Sequence, residues 1–264
     1  MSLKTGNNPK FLIETALLTH GLKSIDDAEL ISNWIPNQGK LAWIDKGKIV
    51  IGSLEQYIPF RRRADQLIRI DGYSVDKCCD EGLSGALTAS GTMKVAAEME
   101  ISLAVTCGMG GIGDIKGEEF CCDLWALKNI PVTLIATSPK DMLNIEDTIK
   151  WLLDNDVRIL GKNNDTCSGF VFDRKPIRIS GIYNNEKING KMLLLNEIFK
   201  SKRIKSKEIL YKAIEAGKRA EHEGKYYHPA ANEMIDVLSN GQSSKLQLNS
   251  LIANIVWADK LVIK

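Results

Sequence analysis

Apolar and polar positions along the chain fall into two alternating patterns. Short runs rich in β-branched and aliphatic residues occur at 11–13, 41–44, 48–51, 101–106, 132–136, 158–160 and 192–195, and their length and composition predict buried strands. Longer stretches, in which apolar residues recur three and four apart with polar residues between, cover 24–35, 87–100, 118–127, 141–155 and 206–223. They predict amphipathic helices, and two more follow to the C-terminus. Strands alternating with helices imply an α/β fold: a central mixed, largely parallel sheet flanked by helices. Polar, turn-rich segments at 163–168 and 183–189 read as exposed loops, and neither resembles an interdomain linker. We therefore expect one domain over 1–264.

Composition narrows the class without choosing a function. Hydrophobic residues at 44% and charged residues at 26% exclude a disordered or membrane-embedded chain, and no apolar run is long enough to span a bilayer. A net charge of +2, from 35 basic and 33 acidic residues, argues against a nucleic-acid partner. Four of the six cysteines stand as neighbours, Cys78-Cys79 and Cys121-Cys122, and no C-x-x-C spacing occurs. A reducing cytoplasm is the expected compartment.

Several residues could carry chemistry. A glycine-rich turn from Cys107 to Gly113 follows an apolar strand, where backbone can approach a ligand closely. A dinucleotide site would need a helix at once and an acidic residue closing the next strand, but that strand runs into Ala136-Thr137-Ser138-Pro139. Lys140 follows the same strand, so its amine would emerge at the carboxyl edge of the sheet, where a desolvated lysine can attack a carbonyl carbon. The bland alternative is a solvated surface charge. Glu14, after the first strand, could donate a proton if its pKa is raised, or could merely cap a turn. Asp123 sits in a helical stripe and could face either solvent or the sheet edge. Thr88, Ser90 and Thr92 interleave with glycines at a helix start, a seat for phosphate or a plain N-cap. His20, His222 and His228 have no metal-ligand spacing, and Arg61-Arg62-Arg63 reads as a solvated helix face. None of these six is given a role.

Taken together, the segments resemble the pseudouridine-5'-phosphate glycosidase family, also called indigoidine synthase A-like, nearly end to end. The stretch from Glu14 to Gly21 is similar to the family's E-S-T-I-I-x-H-G block, and that from Gly85 to Met93 to its G-A-T-T-V-A-A-T-M block. Glu119-Phe120-Cys121-Cys122-Asp123-Leu124 resembles D-I-S-A-D-L, Ser138 to Ile145 resembles G-A-K-S-I-L-D-I, and Asn196 falls on the asparagine of A-N-P-I-P. The resemblance implies Lys140 as Schiff-base nucleophile, Glu14 as acid-base residue, and Asp123 as ligand of a divalent cation, manganese. It further implies Arg69, Thr88, Ser90, Lys116 and Asn196 as substrate contacts and a homotrimer as the assembly. The implied activity cleaves, or reversibly forms, the carbon-carbon bond of pseudouridine 5'-phosphate, giving ribose 5-phosphate and uracil.

The chain departs from the family pattern at three places. Asp114-Ile115-Lys116-Gly117 replaces V-H-R-G, which leaves Lys116 as stand-in for a histidine; Arg69 replaces a lysine; and Glu197-Ile198 follows Asn196 in place of a proline-rich turn. These departures motivate an alternative, a related lyase or glycosidase acting on a different sugar phosphate or base. A nucleotide-binding oxidoreductase and a non-catalytic homologue are the other readings.

Overall fold

The computed structural model describes residues 9–188 and 190–263. The N-terminal half contributes β1 (Leu12–Ile13), β2 (Lys40–Asp45), β3 (Lys48–Gly52), β4 (Ile68–Ile70), β5 (Gly85–Leu87), β6 (Leu103–Val105) and β7 (Gly108–Met109). The C-terminal half adds β8 (Thr133–Ala136), β9 (Ser138–Pro139), β10 (Arg158–Gly161), β11 (Thr166–Cys167), β12 (Ile177–Arg178), β13 (Gly181–Ile182) and β14 (Met192–Leu195). Ten strands form one sheet in the order β13-β10-β14-β8-β6-β1-β2-β5-β4, with β3 paired to β2. From β13 to β2 every neighbour is parallel, whereas β2 meets β3 and β5 antiparallel. The expected mixed, largely parallel sheet is the one observed.

Alternate residues of each strand enter opposite cores, as the two-residue period of a strand requires. Phe11 and Ile13 join Leu103, Val105 and Leu194 in one apolar cluster, while Leu12 joins Ala104, Leu134 and Leu193 in the other. Helices α1 (Asp27–Asn33), α2 (Leu54–Arg61), α7 (Lys207–His222), α8 (Tyr227–Leu238) and α9 (Gln242–Val262) serve the first face. The second is served by α3 (Val75–Asp80), α4 (Ala89–Glu98), α5 (Cys122–Asn129) and α6 (Ile145–Asp154). Among the described residues no helix is long and apolar enough to cross a membrane.

Several boundaries differ from the periodicity reading. The expected helix 118–127 begins only at Cys122, and 87–100 begins at Ala89 because Thr88 caps it and the preceding residues pair as β5. The expected helix 141–155 begins at Ile145 behind an Asn144 cap. Asp141 is diverted to the 170–172 loop, where its buried carboxylate accepts the N–H groups of Phe170, Val171 and Phe172 at 2.9, 2.8 and 3.0 Å. Burial nevertheless pushes its pKa up to about 6. Asp141→Ala leaves three buried amides unpaired and should lower the unfolding free energy by about 3 kcal/mol, measured by urea denaturation. The expected loop 163–168 contains β11, and the end of the 183–189 loop, Asn189, lies outside the described residues. Of the arginine run, Arg62 stays exposed as expected, whereas Arg61 turns inward, donates to the Leu18 and Ile25 carbonyls and pairs with Asp27 at 2.5 Å, bracing the turn that carries His20.

Candidate active site

The carboxyl ends of parallel strands β1, β6 and β8 share one edge of the sheet, the edge at which open α/β sheets bind ligands. Glu14 leaves β1 with its N–H on the Val105 carbonyl, 2.9 Å away. Beside it, the Thr15 hydroxyl donates to the Ala42 carbonyl at 2.7 Å and accepts the Leu87 N–H at 3.0 Å. That clamp ties β5 to the end of β1 and delivers Thr88, and with it the start of α4, beside Glu14.

Beyond β6 and β8 the chain does not turn into helices at once. It continues as β7 and β9, a second parallel pair with Gly108 opposite Ser138 and Met109 opposite Pro139. Lys140 comes next, its N–H on the Met109 carbonyl at 3.1 Å. Gly108 lies flat against the lysine stem, and a Cβ there would sit 3.3 Å from Lys140 Cγ and 2.8 Å from the Phe170 ring. The glycine-rich turn thus permits close packing around a lysine. At Gly110 a Cβ would overlap Cys121 and approach Asp123 Oδ2 to 3.1 Å, so glycine there lets the turn reach the start of α5.

Two adjoining lobes of about 390 Å³ each open at this edge, and Glu14, Arg69, Gly108 and Lys140 line both. Thr88, Ser90 and Asp123 line the inner lobe together with His228. The outer lobe is bounded by His20 from the turn after Glu14 and by Pro229, Asn232 and Gln247 from the C-terminal helices.

Electrostatics within the cleft are set mainly by dehydration. Glu14 is 7% exposed and accepts a hydrogen bond from the Thr106 hydroxyl. Burial raises its carboxyl to about 7 against the lowering influence of Thr106 and Lys140. Lys140 is pushed below the ordinary lysine range by burial and by the Arg69 guanidinium, with Glu14 and Asp123 opposing. Asp123 is 5% exposed, and its two oxygens accept the N–H groups of Ser90 at 2.8 Å and Gly110 at 2.7 Å, which fixes the carboxylate between α4 and the glycine turn. Neither the Lys140 amine nor the Arg69 guanidinium has a hydrogen-bond or ion-pair partner among the described residues.

Two of the expected substrate contacts lie elsewhere. Lys116 is exposed on the loop before α5, where its N–H donates to Glu221 at 2.7 Å, and its side chain lines neither lobe. Asn196 is buried one layer behind the cleft. Its amide donates to Asn254 at 3.0 Å, and Asn254 donates in turn to the Thr106 carbonyl at 2.8 Å. It therefore supports the strand end that holds Glu14 and does not line the cavity. Sequence reasoning also left His228 without a role, yet its imidazole is in the inner lobe. Sequence spacing offers no signal for that, because His228 reaches Lys140 only through the packing of α8 against the sheet edge.

A cation at Asp123 would find one fixed carboxylate, and no group of three or more His, Cys, Asp or Glu side chains able to hold a metal exists among the described residues. That donor set fits a hydrated hard cation completed by water and substrate oxygens, and does not fit zinc in a thiolate or imidazole cage.

Comparison with known proteins places the chain by sequence and by fold. A pseudouridine-5'-phosphate glycosidase from Petrotoga mobilis is 24% identical over 274 residues, covering 94% of this chain and 89% of the relative. One from Legionella pneumophila is 23% identical, covering 97% and 90%. Among solved structures, an indigoidine synthase A-like protein from Thermotoga maritima superposes with a TM-score of 0.78 at 21% identity, over 96% of this chain and 91% of that one. The prealnumycin C-glycosynthase, solved with ribulose 5-phosphate, gives 0.75 at 21% identity, over 96% and 90%. The sequence profile of the family described as "Indigoidine synthase A like protein" matches residues 4–263. With nearly its whole length matched and the fold shared, the chain belongs to the indigoidine synthase A-like family.

Proposed function

We propose that this protein is a C-glycosidase that cleaves, or reversibly forms, the carbon-carbon bond of pseudouridine 5'-phosphate through a Schiff base on Lys140. The observation that carries the reading is an unpartnered lysine amine, depressed in pKa, in one dehydrated cleft with a carboxyl that titrates near neutrality. A carbon leaving group cannot depart as an alkoxide between paired carboxylates, as in ordinary glycoside cleavage. It needs an electron source at C1', and a neutral amine provides one.

In the first step Glu14 gives its proton to the ring oxygen as the bond from that oxygen to C1' breaks and Lys140 bonds to C1'; a proton leaving the nitrogen then restores the Glu14 carboxyl. In the second, the nitrogen lone pair forms the iminium as the C1'–base bond breaks. The base carbon takes the proton from Glu14 and uracil departs. Water then adds to the iminium, releasing ribose 5-phosphate and the free amine. Arg69 is the natural seat for the 5'-phosphate, its fork being free in the cleft, with Thr88 and Ser90 at the start of α4 as further donors. Asp123 would hold a divalent cation, manganese by family likeness, whose positive charge would orient substrate oxygens.

We further infer a homotrimer acting in the cytoplasm, for which the family likeness and six unpaired cysteines speak. The same site could serve a related C-linked sugar phosphate, a reading favoured by the ribulose 5-phosphate held by the structurally similar C-glycosynthase. Borohydride added during turnover decides the chemistry. A reduced pentose phosphate should appear on the Lys140 peptide by mass mapping, and turnover without any adduct there would remove the Schiff base.

A further inference from the structure

Two buried imidazole nitrogens from residues lining the cleft have no hydrogen-bond partner: His20 Nε2 at the outer lobe and His228 Nδ1 at the inner one, the latter on the residue that lines the same lobe as Asp123 and Thr88. His228, near the start of α8, is 4% exposed and lines the inner lobe with Lys140 and Thr88. Its Nε2 lies 3.3 Å from Glu118 Oε2, whereas its Nδ1 is buried with no hydrogen-bond partner. Burial and the neighbouring cations Lys140 and Arg69 push the imidazole down to about 4, and the hydrogen bond from His228 pulls the Glu118 carboxyl down to about 2. At neutral pH the pair is a neutral ring beside a carboxylate.

A neutral imidazole carries one N–H, and a carboxylate can only accept. The proton therefore sits on Nε2, facing Glu118, and Nδ1 presents a lone pair. Buried acceptors are nearly always satisfied, so an unsatisfied one on a residue that lines a cleft with Lys140 and Arg69 is suited to a ligand that brings its own donor. A phosphate dianion brings none and would be repelled by the lone pair. A sugar hydroxyl does bring one.

We propose that His228 is a substrate-binding residue whose Nδ1 accepts a hydrogen bond from a hydroxyl of the sugar phosphate held at Lys140, with Glu118 as the positioning residue that fixes the tautomer. The proposal rests on the sugar-phosphate reading above and deepens it. It makes the C-terminal helices part of the specificity of a site otherwise built on the sheet edge.

Calorimetric binding of ribose 5-phosphate, 2-deoxyribose 5-phosphate and 3-deoxyribose 5-phosphate to the full chain tests it, with borohydride trapping on Lys140 scored separately. The wild type should bind ribose 5-phosphate on the order of tenfold more tightly than one of the two deoxy sugars. His228→Phe should weaken ribose 5-phosphate by that factor and abolish the difference. His228→Asn, whose amide oxygen reaches the Nδ1 position, should restore part of it. Equal weakening of all three sugars by His228→Phe, or no weakening, overturns the proposal. Should His228→Phe fail to fold, Glu118→Ala carries the test: it frees the tautomer and should narrow the preference, and an unchanged preference is equally fatal.

The two readings fail differently. A wild type that shows the hydroxyl preference but traps no adduct loses the Schiff base and keeps His228. One that traps the adduct while His228→Phe retains the full preference loses His228 alone. A wild type that binds none of the three sugars loses both.

Discussion

On the proposed mechanism, Lys140→Ala should abolish turnover of pseudouridine 5'-phosphate while the protein stays folded. Only an amine can supply the lone pair that forms the iminium as the C1'–base bond breaks, and neither Glu14 nor a cation at Asp123 can replace it. Lys140→Arg should be equally inactive, because a guanidinium stays protonated and cannot attack carbon. Stability should not suffer in Lys140→Ala. The amine has no hydrogen bond or ion pair to lose, and removing an unpartnered, dehydrated polar group relieves a cost. Steady-state rates alongside thermal unfolding check both halves, and a Lys140→Ala protein with near-normal rates would end the mechanism.

Glu14→Gln should lose roughly 10²- to 10⁴-fold in kcat while still forming the lysine adduct slowly, since it removes the proton carrier and keeps the nucleophile. The pH profile gives a sharper check. Burial raises the Glu14 carboxyl to about 7, so the proton it must donate is present below that pH and lost above it. Wild-type rate should therefore fall as pH rises through about 7, and Glu14→Gln, with nothing to titrate, should lack that limb. A descending limb that survives in Glu14→Gln assigns the titration to another group. Thr106→Val removes the hydroxyl that stabilises the charged form of Glu14, so it should move the limb to higher pH.

Local pattern was enough for the layered α/β fold. The runs that became β1, β2, β6, β8, β10 and β14 are apolar at successive positions because both sheet faces are covered, and burial of that kind is written into composition. Glu14, Asp123 and Lys140 were also legible, since each follows or accompanies a recognisable strand or motif. Short polar-edged strands such as β4 and β5 were not, because their pairing depends on the Thr15 clamp from a distant segment. Nor was the fate of Asp141, which reads as the start of a helix until three amides from residues 170–172 claim its carboxylate.

The same division runs through the site. Family resemblance made Lys116 the stand-in for a missing histidine, but the loop before α5 carries that side chain to solvent. The imidazole in the inner lobe belongs to His228, nearly 90 residues beyond Lys140 in the chain. Asn196, matched by motif, supports the cleft from behind through Asn254. By itself the sequence determined which residues lie at strand ends, because short-range hydrophobic pattern sets where strands stop. Which side chains share a dehydrated cavity was decided only by tertiary packing, because sheet order and the docking of α8 and α9 bring together groups that no local period relates.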